Sequence, residues 1–288
     1  MLEQPMVVDA HVHFWDPQAL DYPWLHDEPS LARSYAPADY TPLADGTVDS
    51  VVFVEANCAP MQSEMEVERI DRLAADDPRI VGIVAFADLS SSDNGFATLA
   101  RLAKYERVVG VRQNIQGHPA GFCVQPAFVR GVQRVGDMGR TFDLCVTADQ
   151  LPDAIDLVRQ CPQTRFVLDH CGKPAVRDNT FASWANDIAR LAECENVWCK
   201  LSGLLTQADP AQRSADVLAQ YADHVLHHFG HARLMYGSDW PVVTLAGGVD
   251  VWRAVVDHCT SSWSDADRQS FYADNAVRFY GLRLHADR

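Results

Sequence analysis

The first residues whose types and spacing suit chemistry stand near the N-terminus, in Val7-Val8-Asp9-Ala10-His11-Val12-His13. The run is apolar and β-branched, so it reads as a strand. Side chains on a strand alternate between its faces. His11 and His13 therefore share a face, with Cα atoms roughly 6.5 Å apart, and two imidazoles so placed can converge on one metal ion or one substrate. Far downstream another apolar run, Leu234-Met235-Tyr236-Gly237-Ser238-Asp239, ends on a carboxylate. His, His and Asp are a ligand set for a divalent ion, and a carboxylate among imidazoles also suits a general base acting on water.

The polar residues that end the other apolar runs extend this set. They are Glu55 and Asn57, Asp88, Arg112 and Asn114, then Asp169, His170 and Lys173, then Lys200 and Ser202, and finally Ser238 beside Asp239. Taken singly, each has a plainer role. A strand-end histidine can be a hydrogen-bonded structural residue, Lys200 can reach solvent along its own stem, and Glu55 with Arg112 can be a structural ion pair. Charged groups are rarely buried unpaired, however, so charges at several strand ends on one rim imply a shared polar site.

Strand-length runs recur eight times, near 6–13, 50–56, 80–87, 107–114, 141–147, 165–170, 196–202 and 232–239. Most are continuously apolar, as parallel strands covered on both faces are. Helical stretches separate them: Ser63–Ala75, Gly95–Tyr105, Pro126–Gly139, Gln150–Cys161, Phe181–Glu193 and Pro210–Phe229. Val249–Cys259 and Ser264–Tyr280 follow the last strand. Steady strand–helix alternation with no linker implies one α/β domain over residues 1–288. Eight repeats predict a (β/α)8 barrel of the TIM type. The competing open doubly wound sheet lacks support, since no G-x-G-x-x-G follows the first strand. Between Phe14 and Thr47 no helix is expected. That stretch holds Trp15, Pro17, Tyr22, Pro23, Trp24, Pro29, Tyr35, Pro37, Tyr40 and Pro42. A loop so long and so aromatic predicts a packed flap over the barrel mouth.

A net charge of −15 argues against nucleic acid or anionic membrane as partners. No run reaches the roughly 18 apolar residues of a membrane span. Met1-Leu2-Glu3-Gln4-Pro5 lacks the basic start and apolar run of a signal peptide. Eight cysteines without a C-x-x-C pair read as reduced core residues of a cytoplasmic protein.

The motifs Asp9-Ala-His-Val-His-Phe-Trp-Asp-Pro17, Val54-Glu-Ala-Asn57, Gly110-Val-Arg112, Leu168-Asp-His-Cys-Gly-Lys-Pro174, Lys200-Leu-Ser-Gly203 and Gly237-Ser-Asp-Trp-Pro241 come in order at barrel spacing. Together they resemble the amidohydrolase superfamily, and within it the sugar-lactonase branch of L-fuconolactonase and L-rhamnonolactonase, related to 2-pyrone-4,6-dicarboxylate lactonase. The resemblance runs nearly the whole chain, to Asn275-Ala-Val-Arg-Phe-Tyr-Gly281. It implies hydrolysis of a lactone. The superfamily pattern also has a histidine after the fifth strand and, in two-metal members, a bridging lysine or glutamate after the fourth. This chain has Thr147 and Arg112 in those neighbourhoods. A mononuclear site of His11, His13, Asp239 and Glu55 remains, and the lactonase branch includes members that work without metal. The expectation is one divalent ion, zinc by preference, that is accessory rather than required.

Lactone hydrolysis needs an activated water, a polarised carbonyl and a protonated leaving alkoxide. Asp239 is expected as general base, with His170 and one of Lys200 or Arg112 stabilising the oxyanion. Trp15, Trp24 and Trp240 offer flat faces to a sugar ring, and Asn57 and Lys173 complete the expected substrate contacts. A metal-dependent decarboxylase or amide hydrolase of the same superfamily ranks second, because each would want the missing fifth-strand histidine. A non-catalytic binding barrel ranks third, because the histidine pair and Asp239 are both kept.

Overall fold

The computed structural model describes residues 6–40, 48–178 and 180–284. The N-terminal pentapeptide and the 41–47 stretch of the loop, with Pro42, lie outside them. The eight expected strands form: β1 Val8–Val12, β2 Ser50–Val54, β3 Ile80–Phe86, β4 Val108–Arg112, β5 Thr141–Leu144, β6 Arg165–Leu168, β7 Val197–Leu201 and β8 Leu234–Tyr236. They pair in sequence order, all parallel. Just beyond β8 the chain returns to β1. The His13 amide donates to the Trp240 carbonyl at 2.8 Å and the Asp239 amide to the His11 carbonyl at 3.0 Å, which closes a (β/α)8 barrel.

Helices follow the strands, and all but the last cover the outer face. They are α1 Ser63–Asp76, α2 Ser92–Leu102, α3 Pro126–Asp137, α4 Leu151–Gln160, α5 Phe181–Ala192, the short α6 Leu204–Gln207, α7 Ala215–Phe229, α8 Val249–Cys259, α9 Asp265–Gln269 and α10 Asn275–Tyr280. Three sequence boundaries shift. Helix α2 starts at Ser92 rather than at Gly95, because Gly95 is needed inside its first turn: a Cβ there would lie 2.6 Å from the Asp88 carbonyl oxygen. The helix expected from Pro210 begins at Ala215, where the Ser214 hydroxyl caps the Val217 amide. A π-helical turn over Ser270–Asp274 separates α9 from α10.

Two cores result. The outer one lies between strands and helices. The inner one joins Val8, Ala10, Val52, Val54, Val84, Val109, Val167 and Met235 to Ala273, Ala276, Phe279 and Tyr280, so the C-terminal helix α10 plugs the barrel floor. In β1 the register advances three residues, Asp9 to Val12, while β2 advances two, Val51 to Phe53. This bulge reverses the parity of the strand. Val8 and Ala10 belong to the inner core, whereas Val12 belongs to the outer one, and His11 and His13 turn inward at the mouth.

The described part of the loop after β1 is a packed flap, as expected. Trp15 and Tyr35 exchange backbone hydrogen bonds at 3.0 and 2.8 Å. Leu20, Tyr22, Leu25, Leu31, Tyr35 and Tyr40 are buried with Trp15. The Tyr40 hydroxyl donates to Asp9, whose other oxygen accepts the amides of His11 and Ser238. One buried carboxyl thus ties the flap to both edges of the barrel seam.

Candidate active site

Three histidines converge on one carboxylate at the C-terminal mouth. His11 Nε2 lies 3.8 Å, His13 Nε2 3.5 Å and His170 Nε2 3.9 Å from Asp239 Oδ1. His11 Nε2 and His13 Nε2 are 3.2 Å apart. The tetrahedral edge around an ion with bonds of about 2.0 Å is about 3.3 Å, so the donors at His11, His13 and Asp239 have the spacing of one small divalent ion. Ligand atoms of His11, His170 and Asp239 all lie within 4.8 Å of one another. Two or three imidazoles with one carboxylate suit zinc chemically.

Two of these side chains, His170 and Asp239, are aimed by an unusual backbone. Asn57, His170, Cys171, Lys173 and Asp239 all have left-handed φ, between 44° and 60°. Non-glycine residues seldom sit there, and strain of this kind clusters where side chains must be presented to a ligand. The His13 ring is held by Nδ1–H donating to the Val54 carbonyl at 2.7 Å. The His170 ring is held at Nδ1 by the Ser202 hydroxyl at 2.8 Å. Gly203 packs against it, and a Cβ there would lie 2.6 and 2.7 Å from ring atoms Nδ1 and Cγ and 2.8 Å from the His170 Cβ.

Below this layer lies a buried charge network. The Lys200 ammonium is 2.6 Å from Asp143 Oδ2, 3.0 Å from Asp169 Oδ1 and 3.1 Å from His11 Nδ1. Tyr280, from the floor helix, donates to the same Asp143 oxygen at 2.9 Å. The Arg112 guanidinium donates to Glu55 Oε1 and to the Glu55 carbonyl, both at 2.6 Å, and to Asp169 at 3.3 Å. These contacts correct two expectations. Lys200, 0 % exposed, neither reaches solvent nor lines the cavity: its ammonium hydrogen-bonds Asp143 and His11 and forms an ion pair with Asp169. Glu55, expected as a fourth ligand, is engaged instead by Arg112 on one oxygen and the Asn57 amide on the other, and the group of potential ligand atoms that lie together is His11, His170 and Asp239.

Burial and neighbours set the charges. Burial opposes ionisation of Lys200, but Asp143 and Asp169 outweigh it and hold the ammonium charged. Burial would raise Asp169, yet Lys200 and His11 keep it well below the usual carboxylate range. Burial, then the Lys200 charge, push His11 well below the ordinary histidine value, and burial lowers His170 to about 4. Both rings are neutral at physiological pH. Asp239 is buried too, but the surrounding histidines, His170 foremost, hold it below the usual range, so it is ionised.

Above these groups opens a cavity of about 120 Å³. His13, Asn57, Arg112, His170, Lys173 and Asp239 line it, with Trp15 and Trp24 from the flap. Trp24 is pinned by its indole N–H on the Ala56 carbonyl at 2.8 Å. Trp240, expected at the substrate, is instead 3 % exposed behind the wall, edge-on to Phe14, Tyr35 and Tyr40. Four further liners escaped sequence reasoning: Ala56, Cys145 and Val242, and Asn114 in its role. Cys145, rather than Thr147, is the cavity-facing residue after β5. The networking carboxylates Asp143 and Asp169 were also missed in their roles; their inward parity on β5 and β6, opposite Lys200, was the available signal.

Comparison with known proteins agrees with this geometry. Residues 8–282 match the Amidohydrolase family model. The chain is 33% identical over 296 residues to an L-fucono-1,5-lactonase of Burkholderia multivorans, covering 97% of each protein. It is 30% identical to an L-fucono-1,5-lactonase of Burkholderia ambifaria, covering 96% of this chain and 95% of the relative. A crystal structure of a Burkholderia multivorans amidohydrolase with bound zinc superposes with a TM-score of 0.87 at 32% identity, over 96% of this chain and all of that one. With a family model spanning the whole barrel and two relatives at this identity over nearly their full lengths, the chain belongs to the amidohydrolase family.

Proposed function

We propose that this protein hydrolyses the ring ester of a sugar lactone, such as L-fucono-, L-rhamnono- or L-galactono-lactone, to the aldonic acid. The observation that carries the reading is the convergence of three imidazoles on one ionised carboxylate, Asp239, inside a cavity sized for a single small ring. The lactonase names of the two Burkholderia relatives support it.

Asp239 takes the proton of a water held beside it, and the water oxygen attacks the lactone carbonyl. His170 stands across the mouth as the group facing the developing oxyanion. When the Ser202 hydroxyl donates to Nδ1, His170 Nε2 carries the proton and donates into the cavity. The leaving alkoxide then recovers the proton by way of Asp239. Arg112 and Lys173 hold ring hydroxyls or the product carboxylate, and Trp15 and Trp24 supply apolar faces. His11, His13, His170 and Asp239 would hold a divalent ion, zinc by preference, which supplies Lewis-acid polarisation of the carbonyl when bound. We assign it an accessory role. Eight unpaired cysteines support a reducing compartment, the cytoplasm, and among the described residues no helix is long and apolar enough to cross a membrane.

Neutral substrates fit better than dicarboxylates. Arg112 and Lys200 are already balanced by Glu55, Asp143 and Asp169, and Lys173 donates to Gln116. A buried carboxylate left unpaired costs several kcal/mol, and the strongly negative chain would slow an anion's approach. The test is a pH-indicator assay comparing the three sugar lactones with 2-pyrone-4,6-dicarboxylate at matched concentration. A kcat/KM for the dicarboxylate above every sugar lactone, or no turnover of any lactone, overturns the proposal.

A further inference from the structure

On the side of β2, β3 and β4 the reaction cavity opens into a groove of about 530 Å³, and Trp24, Asn57 and Asn114 line both spaces. The flap and the loops after those three strands bound the groove, across the barrel from His170 after β6 and Asp239 after β8. Another groove beside the mouth, of about 580 Å³, shares only Lys173 with the cavity. A substrate larger than one ring therefore has its continuous path towards β2–β4.

The groove offers two kinds of surface. Flat rings come from Trp24, Phe86 and Phe122, and the exposed His118 ring lies parallel on Phe122 with centroids 3.8 Å apart at 6°. Between them stand polar groups with capacity to spare. Asp88 accepts the Ser90 amide at 3.0 Å, the Ser90 hydroxyl at 2.5 Å and Gln113 Nε2 at 3.2 Å, all at Oδ1. Asn114 Oδ1 accepts the Gln116 amide at 3.0 Å. Asp88 Oδ2, Asn114 Nδ2 and the Asn57 side-chain amide have no hydrogen-bond partner among the described residues. A carboxylate oxygen beside amide groups suits a ligand that both donates and accepts, which is a hydroxyl. No described lysine or arginine lines the groove, so a carboxylate or phosphate there would face Asp88 without a counter-charge. Aromatic faces with a few such polar groups between them suit a sugar ring.

We propose that this groove is a subsite for a second sugar ring, and that the protein takes aldono-lactones glycosylated on the ring carbon opposite the carbonyl. With the carbonyl carbon of a six-membered lactone at Asp239, the opposite carbon, C4, points across the barrel to Asn57 and Asn114. Water adds to the carbonyl, the ring C–O bond breaks and the alkoxide takes up a proton; the glycosidic bond is untouched. The substrate class is the lactone left when the reducing end of a 4-linked disaccharide is oxidised.

The subsite deepens the proposed lactone hydrolysis and rests on it. The probe is the 1,5-lactone of oxidised β-D-glucosyl-(1→4)-L-rhamnose, compared with L-rhamnono-1,5-lactone. The glycosylated lactone is expected to have the higher kcat/KM, by about 10-fold, and Asp88→Ala to remove most of that ratio, the share of one hydrogen bond to a charged group. His118→Ala, at an exposed position, is expected to lower the same ratio and carries the test if Asp88→Ala does not fold. A kcat/KM for the glycosylated lactone no higher than for the bare one overturns the subsite and leaves lactone hydrolysis standing. So does a preference that neither variant lowers. If neither lactone is turned over, lactone hydrolysis fails and calorimetry decides the subsite. Tighter binding of the disaccharide than of L-rhamnose, with the gain lost in the variants, supports it, and equal binding overturns it.

Discussion

Gly203 gives the most direct test of how the mouth is built. It follows β7 with φ of 66°, and its missing Cβ is where the His170 ring lies. In Gly203→Ala the new carbon would sit 2.6 Å from His170 Nδ1 and 2.7 Å from Cγ, against an ordinary contact of 3.4 Å or more. The ring must therefore retreat by about 0.8 Å (3.4 less 2.6), or Gly203 must move. Retreat breaks the 2.8 Å hydrogen bond to Ser202 and shifts the ring relative to Asp239. Misplacement of about 1 Å at a reacting group costs about 10²-fold, so kcat should fall by about two orders of magnitude. The left-handed backbone adds about 1–2 kcal/mol of instability, or a few degrees of Tm at about 2–4 °C per kcal/mol. The assay is kcat on a lactone the wild type turns over, beside a thermal melt. A variant with lowered Tm but wild-type kcat would refute the placement of His170 at the reacting centre. Ser202→Ala, which removes the hydrogen bond without a clash, should lower kcat in the same direction by less.

Four further outcomes follow from the same geometry. Asp239→Asn keeps the shape and removes the basicity, so kcat should drop about 10²–10⁴-fold with folding intact by circular dichroism; near-full kcat would remove Asp239 from the base role. Exhaustive chelation, verified by elemental analysis, should leave most of the lactonase activity, and a stoichiometric loss restored by zinc would make the metal essential. Glu66, buried under the flap with one oxygen on the Ala56 amide, is raised to about 8 by burial and then by Glu55. Its folded form holds the proton longer than the unfolded chain does, so stability present at low pH is lost as pH rises towards 8. Glu66→Gln should match wild type near pH 5 and melt higher at pH 9, and parallel Tm-against-pH curves for the two proteins would contradict this. His170, lowered to about 4, acts in the opposite sense: the unfolded chain binds its proton first, so stability should fall between about pH 6.5 and 4.

Much of this protein is determined locally, by residues read along one dimension. Eight continuous apolar runs between amphipathic stretches can bury both faces only as parallel strands with helices outside, so the barrel followed from the pattern. The mouth followed in turn, because polar residues at strand ends have no other apolar-free place to go. The aromatics of the flap forced it to pack. What the sequence could not decide is which partner each polar residue finds, because those partners lie far along the chain, 32 positions for His170 and Ser202, 57 for Arg112 and Glu55, 189 for Lys200 and His11, and are chosen by the closure of the barrel. Period-two reading placed His11 and His13 on one face, correctly, but only the bulge in β1 turned that face inward past Val8 and Ala10. Lys200 was expected as a cation at the substrate, and Glu55 as a ligand with an ion pair to Arg112 as its plainer alternative. In three dimensions each meets an opposite charge across the barrel, and in a medium that penalises unpaired charge that neighbour takes its hydrogen-bonding capacity. Trp240 carries the same chemistry whether it faces a sugar or Phe14, Tyr35 and Tyr40. Only the path of the flap, folding back over the seam, settled which.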